Sequence, residues 1–135
     1  MSEPQAVTVG AHHIGLTVSQ LDASARFFVD LLGWTDVRRD PDYPAVFVTD
    51  GTIMLTLWGV KAAPPNAFDK NRNVGLHHLA LRVNSFQALE AIYTKLIDHG
   101  ISIEFAPEPL KAGPARHMMC YEPSGIRIEF ICAPT

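Results

Sequence analysis

Three side chains in this sequence have the types and positions to hold a divalent metal: His13, His78 and Glu129. Glu129 interrupts the apolar run Ile126-Arg127-Ile128-Glu129-Phe130-Ile131-Cys132. Alternate side chains on a strand face opposite ways. Ile126, Ile128 and Phe130 therefore form one apolar face, and Glu129 points the other way, with Arg127 and Ile131, into a concave side. A carboxylate there is costly unless it is solvated, paired or coordinated. Taken alone, Glu129 suits a salt bridge to Arg127 or Arg82, or exposure on an open sheet. The histidines change the balance, because they occupy equivalent positions of a repeat. Two imidazoles and a carboxylate bind a divalent ion and leave coordination positions open, as a catalytic site requires.

The elements that must position them come twice. His13-Ile14-Gly15-Leu16-Thr17-Val18 reads like His78-Leu79-Ala80-Leu81-Arg82-Val83, and both alternate as strands do. On each, only one of two adjacent histidines can face the metal. His13 and His78 share a face with small and polar residues, while His12 and His77 fall at the rim in structural roles. A helical stripe follows each copy: Leu21, Ala25, Phe28 and Leu32 before Gly33, then Phe86, Leu89, Tyr93, Leu96 and Ile97 before Gly100. Ser19 and Ser85, or the Asp and Asn beside them, are placed to cap the helices. Three strands are predicted after each helix. In the first half they are Trp34 to Arg39, Ala45 to Thr49 and Thr52 to Trp58. In the second they are Ile101 to Phe105, Arg116 to Tyr121 and Ile126 to Cys132.

The predicted fold is α+β: two βαβββ modules forming an incomplete β-barrel around a metal and substrate cavity, with the helices outside. One domain is expected over residues 8–135, with module one at 11–59, a linker or flap at 60–74 and module two at 75–132. Counting from the turn glycines, Gly51 and Gly125, makes Leu55 the repeat partner of Glu129. An apolar side chain is thus expected where a symmetric site would have its fourth ligand.

The net charge is −3 with scattered basic residues, which argues against nucleic acid as a partner. No apolar run is long enough to span a membrane. Met1-Ser2-Glu3-Pro4 lacks the layout of a secretory signal. Cys120 and Cys132 make no disulfide framework and suit buried, reduced thiols. A cytoplasmic protein is expected.

The two His-led strands, the Phe27-Phe28 helix ending Leu32-Gly33-Trp34, and Pro123-Ser124-Gly125-Ile126-Arg127-Ile128-Glu129-Phe130 together resemble the vicinal oxygen chelate superfamily of glyoxalases, extradiol dioxygenases and bleomycin- or fosfomycin-resistance proteins. The resemblance runs from about Ala11 to Ile131. It implies metal ligands on the first and last strands of each module, matched by His13, His78 and Glu129 but not by Leu55. That departure weakens the glyoxalase expectation. The His, His, Glu set looks instead like that of extradiol dioxygenases, which implies iron(II), with manganese, zinc or nickel as alternatives for isomerase, epimerase or lyase chemistry. Glu129 would also move protons, and His117 and Tyr121 are candidates for further catalytic roles. Arg82 would offset substrate charge, unless it pairs with Glu129. Leu55 and Trp58 would contact substrate. A non-catalytic binding protein is the competing expectation, with Trp34, Trp58, Phe47 and Phe68 lining its pocket. The resemblance also implies a homodimer, with the site within one chain or shared across the interface.

Overall fold

The computed structural model describes residues 5–133, so the Met1–Pro4 segment and the last two residues of the expected domain lie outside it. The repeat folds as two βαβββ modules. Module one comprises β1 (His13–Val18), α1 (Leu21–Arg26), β2 (Thr35–Asp40), β3 (Ala45–Thr49) and β4 (Met54–Gly59). Module two comprises β5 (Leu79–Arg82), α2 (Phe86–Asp98), β6 (Ser102–Pro109), β7 (Arg116–Tyr121) and β8 (Arg127–Cys132). Each forms a four-stranded sheet, ordered β1-β4-β3-β2 and β5-β8-β7-β6. The opening strand lies parallel to the last, and the remaining pairs are antiparallel. The sheets do not close into a barrel; β1 and β5 are the outer strands of separate sheets.

One apolar core joins the modules on their helical sides. It includes Leu16, Val18, Phe28, Leu55 and Leu57 from the first, and Leu79, Leu89, Met118, Ile128 and Phe130 from the second. The opposite sheet faces carry the polar and aromatic residues. In the final strand Ile128 and Phe130 are buried in that core, as alternation requires.

The helices differ in how they begin and end. Ser85 caps α2 through its hydroxyl, which accepts from the Ala88 N–H. α1 has Gln20 at its N-cap and no side-chain cap, so the Ser19 expectation fails. Beyond Arg26 the helix widens into a π-turn over Phe27–Leu31. Phe27 and Phe28 are both buried there, at 1% and 0% exposure, although they are consecutive. Phe28 packs on Trp34 with ring centroids 5.1 Å apart.

The register corrects the repeat partner of Glu129. Glu129 lies opposite Ala80, and Ala80 corresponds to Gly15, whose partner is Thr56. Thr56, not Leu55, is therefore equivalent to Glu129. The turns differ in length. Asp50 N donates to Ile53 O, whereas Glu122 N donates to Ile126 O, so module two has one more turn residue. Gly51 opens its turn and Gly125 closes the other, so counting from the glycines slips by one residue. A slip of one turns a strand residue to the other face. Leu55 is fully buried in the apolar core on the other face of β4, rather than on the open face where substrate contact was expected.

Candidate functional site

β8 carries Glu129 onto the face of its sheet away from the helices, and the carboxylate is buried, with only 8% exposure. Its neighbours are histidines. His78 Nε2 lies 3.1 Å from Oε1. The His117 Nδ1–H donates to Oε2 at 2.5 Å, and the Phe105 ring packs against that imidazole, centroids 4.8 Å apart. The expected ion pair of Glu129 with Arg127 or Arg82 is not formed. Arg127 instead pairs with Glu104, Nη2 and Nε reaching its two oxygens at 2.8 and 2.9 Å.

Each metal-candidate histidine is tied to its predecessor. His77 and His78 meet Nδ1 to Nδ1 at 2.7 Å, and His12 and His13 do the same at 2.8 Å. His12 and His77, expected at the rim in structural roles, thus contact the metal-candidate imidazoles directly. Their contacts leave the Nε2 atoms of His13 and His78 as the free ligating positions, and such a hydrogen bond on the other nitrogen orients a metal-binding imidazole. The signal available in the sequence was the doubled His-His pair itself.

The other expected residues separate. His13 lies on β1, in the other sheet, away from His78 and Glu129. Among the described residues no three His, Cys, Asp or Glu side chains are grouped as a metal centre within one chain needs. Glu129 sits between His78 and His117, one on each oxygen, rather than sharing a common point with both. Tyr121 turns away from Glu129: its hydroxyl donates to Glu104 at 2.5 Å, a bond that raises its pKa. Arg127 holds the Glu104 carboxyl down at about 2. Arg82 is exposed at the end of β5 and borders a crevice of about 340 Å³ with Trp34 and Lys95. Burial pushes the Cys120 thiol up to about 12, which suits the buried-thiol reading rather than a thiolate ligand.

In module one the equivalent of Glu129 is closed off. The Trp58 indole N–H donates to the Thr56 hydroxyl at 2.9 Å. A Cβ at Gly15 would stand 3.2 Å from that hydroxyl and 3.3 Å from the indole nitrogen, so only glycine leaves the pair undisturbed. Trp58 meets Tyr43 edge-on at 4.7 Å and Phe47 at 5.4 Å. Arg38 stands 5.5 Å over Phe47. An aromatic wall thus shares the sheet face of His13, Gly15 and Thr17. Between the modules, a cavity of about 740 Å³ is bordered by Gly15, Thr17, Phe68, His77, Tyr121 and Arg127. The linker forms one side of it, held by a turn in which Asp69 N donates to Asn73 Oδ1.

Two such βαβββ modules, each a four-stranded sheet with its helix on one face, define the class of α+β protein to which this fold belongs. The chain belongs to the glyoxalase/bleomycin resistance protein/dioxygenase superfamily, whose family model matches residues 10–130. It is similar to a glyoxylase/bleomycin resistance protein/dioxygenase domain from Frankia sp. EAN1pec, with 25% identity, a TM-score of 0.81 and coverage of 94% of this chain and 99% of that one. Lactoylglutathione lyase from Agrobacterium tumefaciens shares the fold at 20% identity and TM-score 0.72, covering 95% and 96% of the two chains. The fosfomycin resistance protein FosX from Listeria monocytogenes does so at 13% identity and TM-score 0.73, again covering 95% and 96%. No curated protein sequence matches the chain.

Proposed function

We propose that this chain is a metal-dependent enzyme in which His78 and Glu129 of one copy, with His13 of a second copy, hold a divalent ion, iron(II) before manganese, zinc or nickel. The observation that carries this reading is the buried Glu129 carboxylate facing His78 Nε2 at 3.1 Å. Nitrogen and carboxylate donors suit such an ion. When bound, the ion supplies Lewis acidity, or with iron(II) redox chemistry toward oxygen. The chain's own residues do the rest. His117 ties down one Glu129 oxygen, which leaves Oε1 as the oxygen that would hold the ion or, in its place, take or give a proton. Trp58, Phe47 and Tyr43 offer flat apolar surface to a substrate ring.

What supports a shared site is the separation of His13 from the other two, with β1 and β5 as the outer strands of their sheets. Ring-cleaving oxygenation of a small aromatic diol is the leading reaction, because the aromatic wall suits such a ring. Lyase, isomerase or epimerase chemistry with a redox-silent ion is the alternative. The same wall also favours a second reading, a non-catalytic protein that sequesters an aromatic compound. Two buried free thiols suit a reducing compartment, which supports a cytoplasmic location. No helix among the described residues is long and apolar enough to cross a membrane.

Elemental analysis of protein purified without chelators, followed by oxygen uptake with a panel of catechols, tests the proposal. Stoichiometric metal is expected, with affinity reduced at least about tenfold by His13→Ala, His78→Ala or Glu129→Gln. A metal-free protein whose affinities for iron, manganese and zinc are untouched by those changes would overturn it. Iron with oxygen uptake selects the dioxygenase branch.

A further inference from the structure

We infer that Glu104, Arg127 and His77 are positioning residues that fix the tautomer of His78, so that its Nε2 turns a bare lone pair toward Glu129. Glu104 grips Arg127 with both carboxylate oxygens, and the arginine lowers the Glu104 pKa in return. This grip leaves Nη1 free, 3.3 Å from His77 Nδ1. A guanidinium only donates, so His77 Nδ1 accepts. The same nitrogen lies 2.7 Å from His78 Nδ1. Because His77 Nδ1 already accepts, His78 Nδ1 carries the hydrogen and donates. A neutral imidazole with its hydrogen on Nδ1 has none on Nε2.

Two acceptors, His78 Nε2 and Glu129 Oε1, then face each other across 3.1 Å. His117 already occupies the other carboxylate oxygen. Two facing acceptors at this distance suit a cation held between them. The polarity of the His77–His78 pair thus makes the space beside Glu129 suited to a cation. For its metal consequence this inference rests on the function proposed above; the tautomer itself does not.

Module one supplies an internal control. His12 and His13 make the same nitrogen contact. The residue paired with His13 on β4 is Met54, which has no hydrogen to donate. Only the second pair is poled by an arginine.

The test is long-range proton–nitrogen correlation on the nitrogen-15-labelled, metal-free protein in mildly alkaline buffer. His78 is expected with hydrogen on Nδ1 and a bare Nε2. Arg127→Met and His77→Phe should shift His78 toward the other tautomer and leave His13 unchanged. Glu104→Gln, at a partly exposed position, should do so in part and guards against a misfolded Arg127 variant. Zinc affinity, read by equilibrium dialysis, should fall about ten- to a hundredfold in the Arg127 and His77 variants. A wild-type His78 with hydrogen on Nε2, or variants that leave its nitrogen shifts unmoved, would overturn the inference. Wild-type protein that binds no zinc would count against the proposed enzyme, while the nitrogen spectra would still decide the tautomer.

Discussion

Glu104 shows how a single residue records its surroundings. Its carboxyl is held at about 2, against an ordinary 4.5, chiefly by hydrogen bonding to Arg127. The unfolded chain therefore binds more protons than the folded one between those values. The stabilisation is present above 4.5 and is lost as pH falls toward about 2. The side chain is 31% exposed, so solvent screening keeps the effect modest. Glu104→Gln is expected to flatten the fall of urea midpoints across that acid window. An unchanged slope would show that the pair contributes nothing to acid stability. The sequence named Arg127 as a possible partner for Glu129. Glu104 lies well upstream, on a strand whose register shifts twice, and no spacing rule joins it to Arg127.

Among the elements, α1 and the β7–β8 turn form the clasp between modules. Glu122, 2% exposed, accepts from the Ser24 hydroxyl at 2.5 Å and from the Ser124 and Ile126 N–H groups at 2.8 and 3.1 Å. The Ser124 hydroxyl in turn accepts from Gln20 N at 3.0 Å. Burial raises the Glu122 pKa despite these donors. Its sign is opposite to that of Glu104: the folded state binds the extra proton, so stability declines as pH rises from 4.5 toward the raised value. Glu122→Ala leaves those donors unpaired and is expected to cost about 1–3 kcal/mol in thermal or urea unfolding. Glu122→Gln keeps the two backbone bonds and removes the buried charge. It should be at least as stable as the wild type at neutral pH; a loss as large as alanine's would show that the charge itself holds the clasp.

At the scale of the molecule, the common core holds the two modules with their polar faces open. His13 and the His78–Glu129 pair lie on those faces in different sheets. In a shared site, each is completed by a second copy. Subunit mixing tests this. Chains carrying His13→Ala alone, or Glu129→Gln alone, should each lose metal-dependent activity. Mixed after dissociation, they should recover about a quarter of the wild-type value, because half the dimers are hybrids with one intact site of two. No recovery, with exchange verified by mass, would place the site within one chain.

The sequence by itself determined the repeat, both helices, the faces of β7 and β8, and the equivalence of His13 and His78. All of these follow from local periodicity, which a strand or helix imposes on its own residues. The tertiary structure decided what depends on turn length and packing. An added turn residue in module two made Thr56, rather than Leu55, the counterpart of Glu129. Folding back of β6 and β7 took Tyr121 and Arg127 to Glu104 and left His117 to Glu129. The shared apolar core held His13 apart from the carboxylate it had been matched with. Which side chains meet across strands depends on register, and register is a property of paired strands rather than of any one of them.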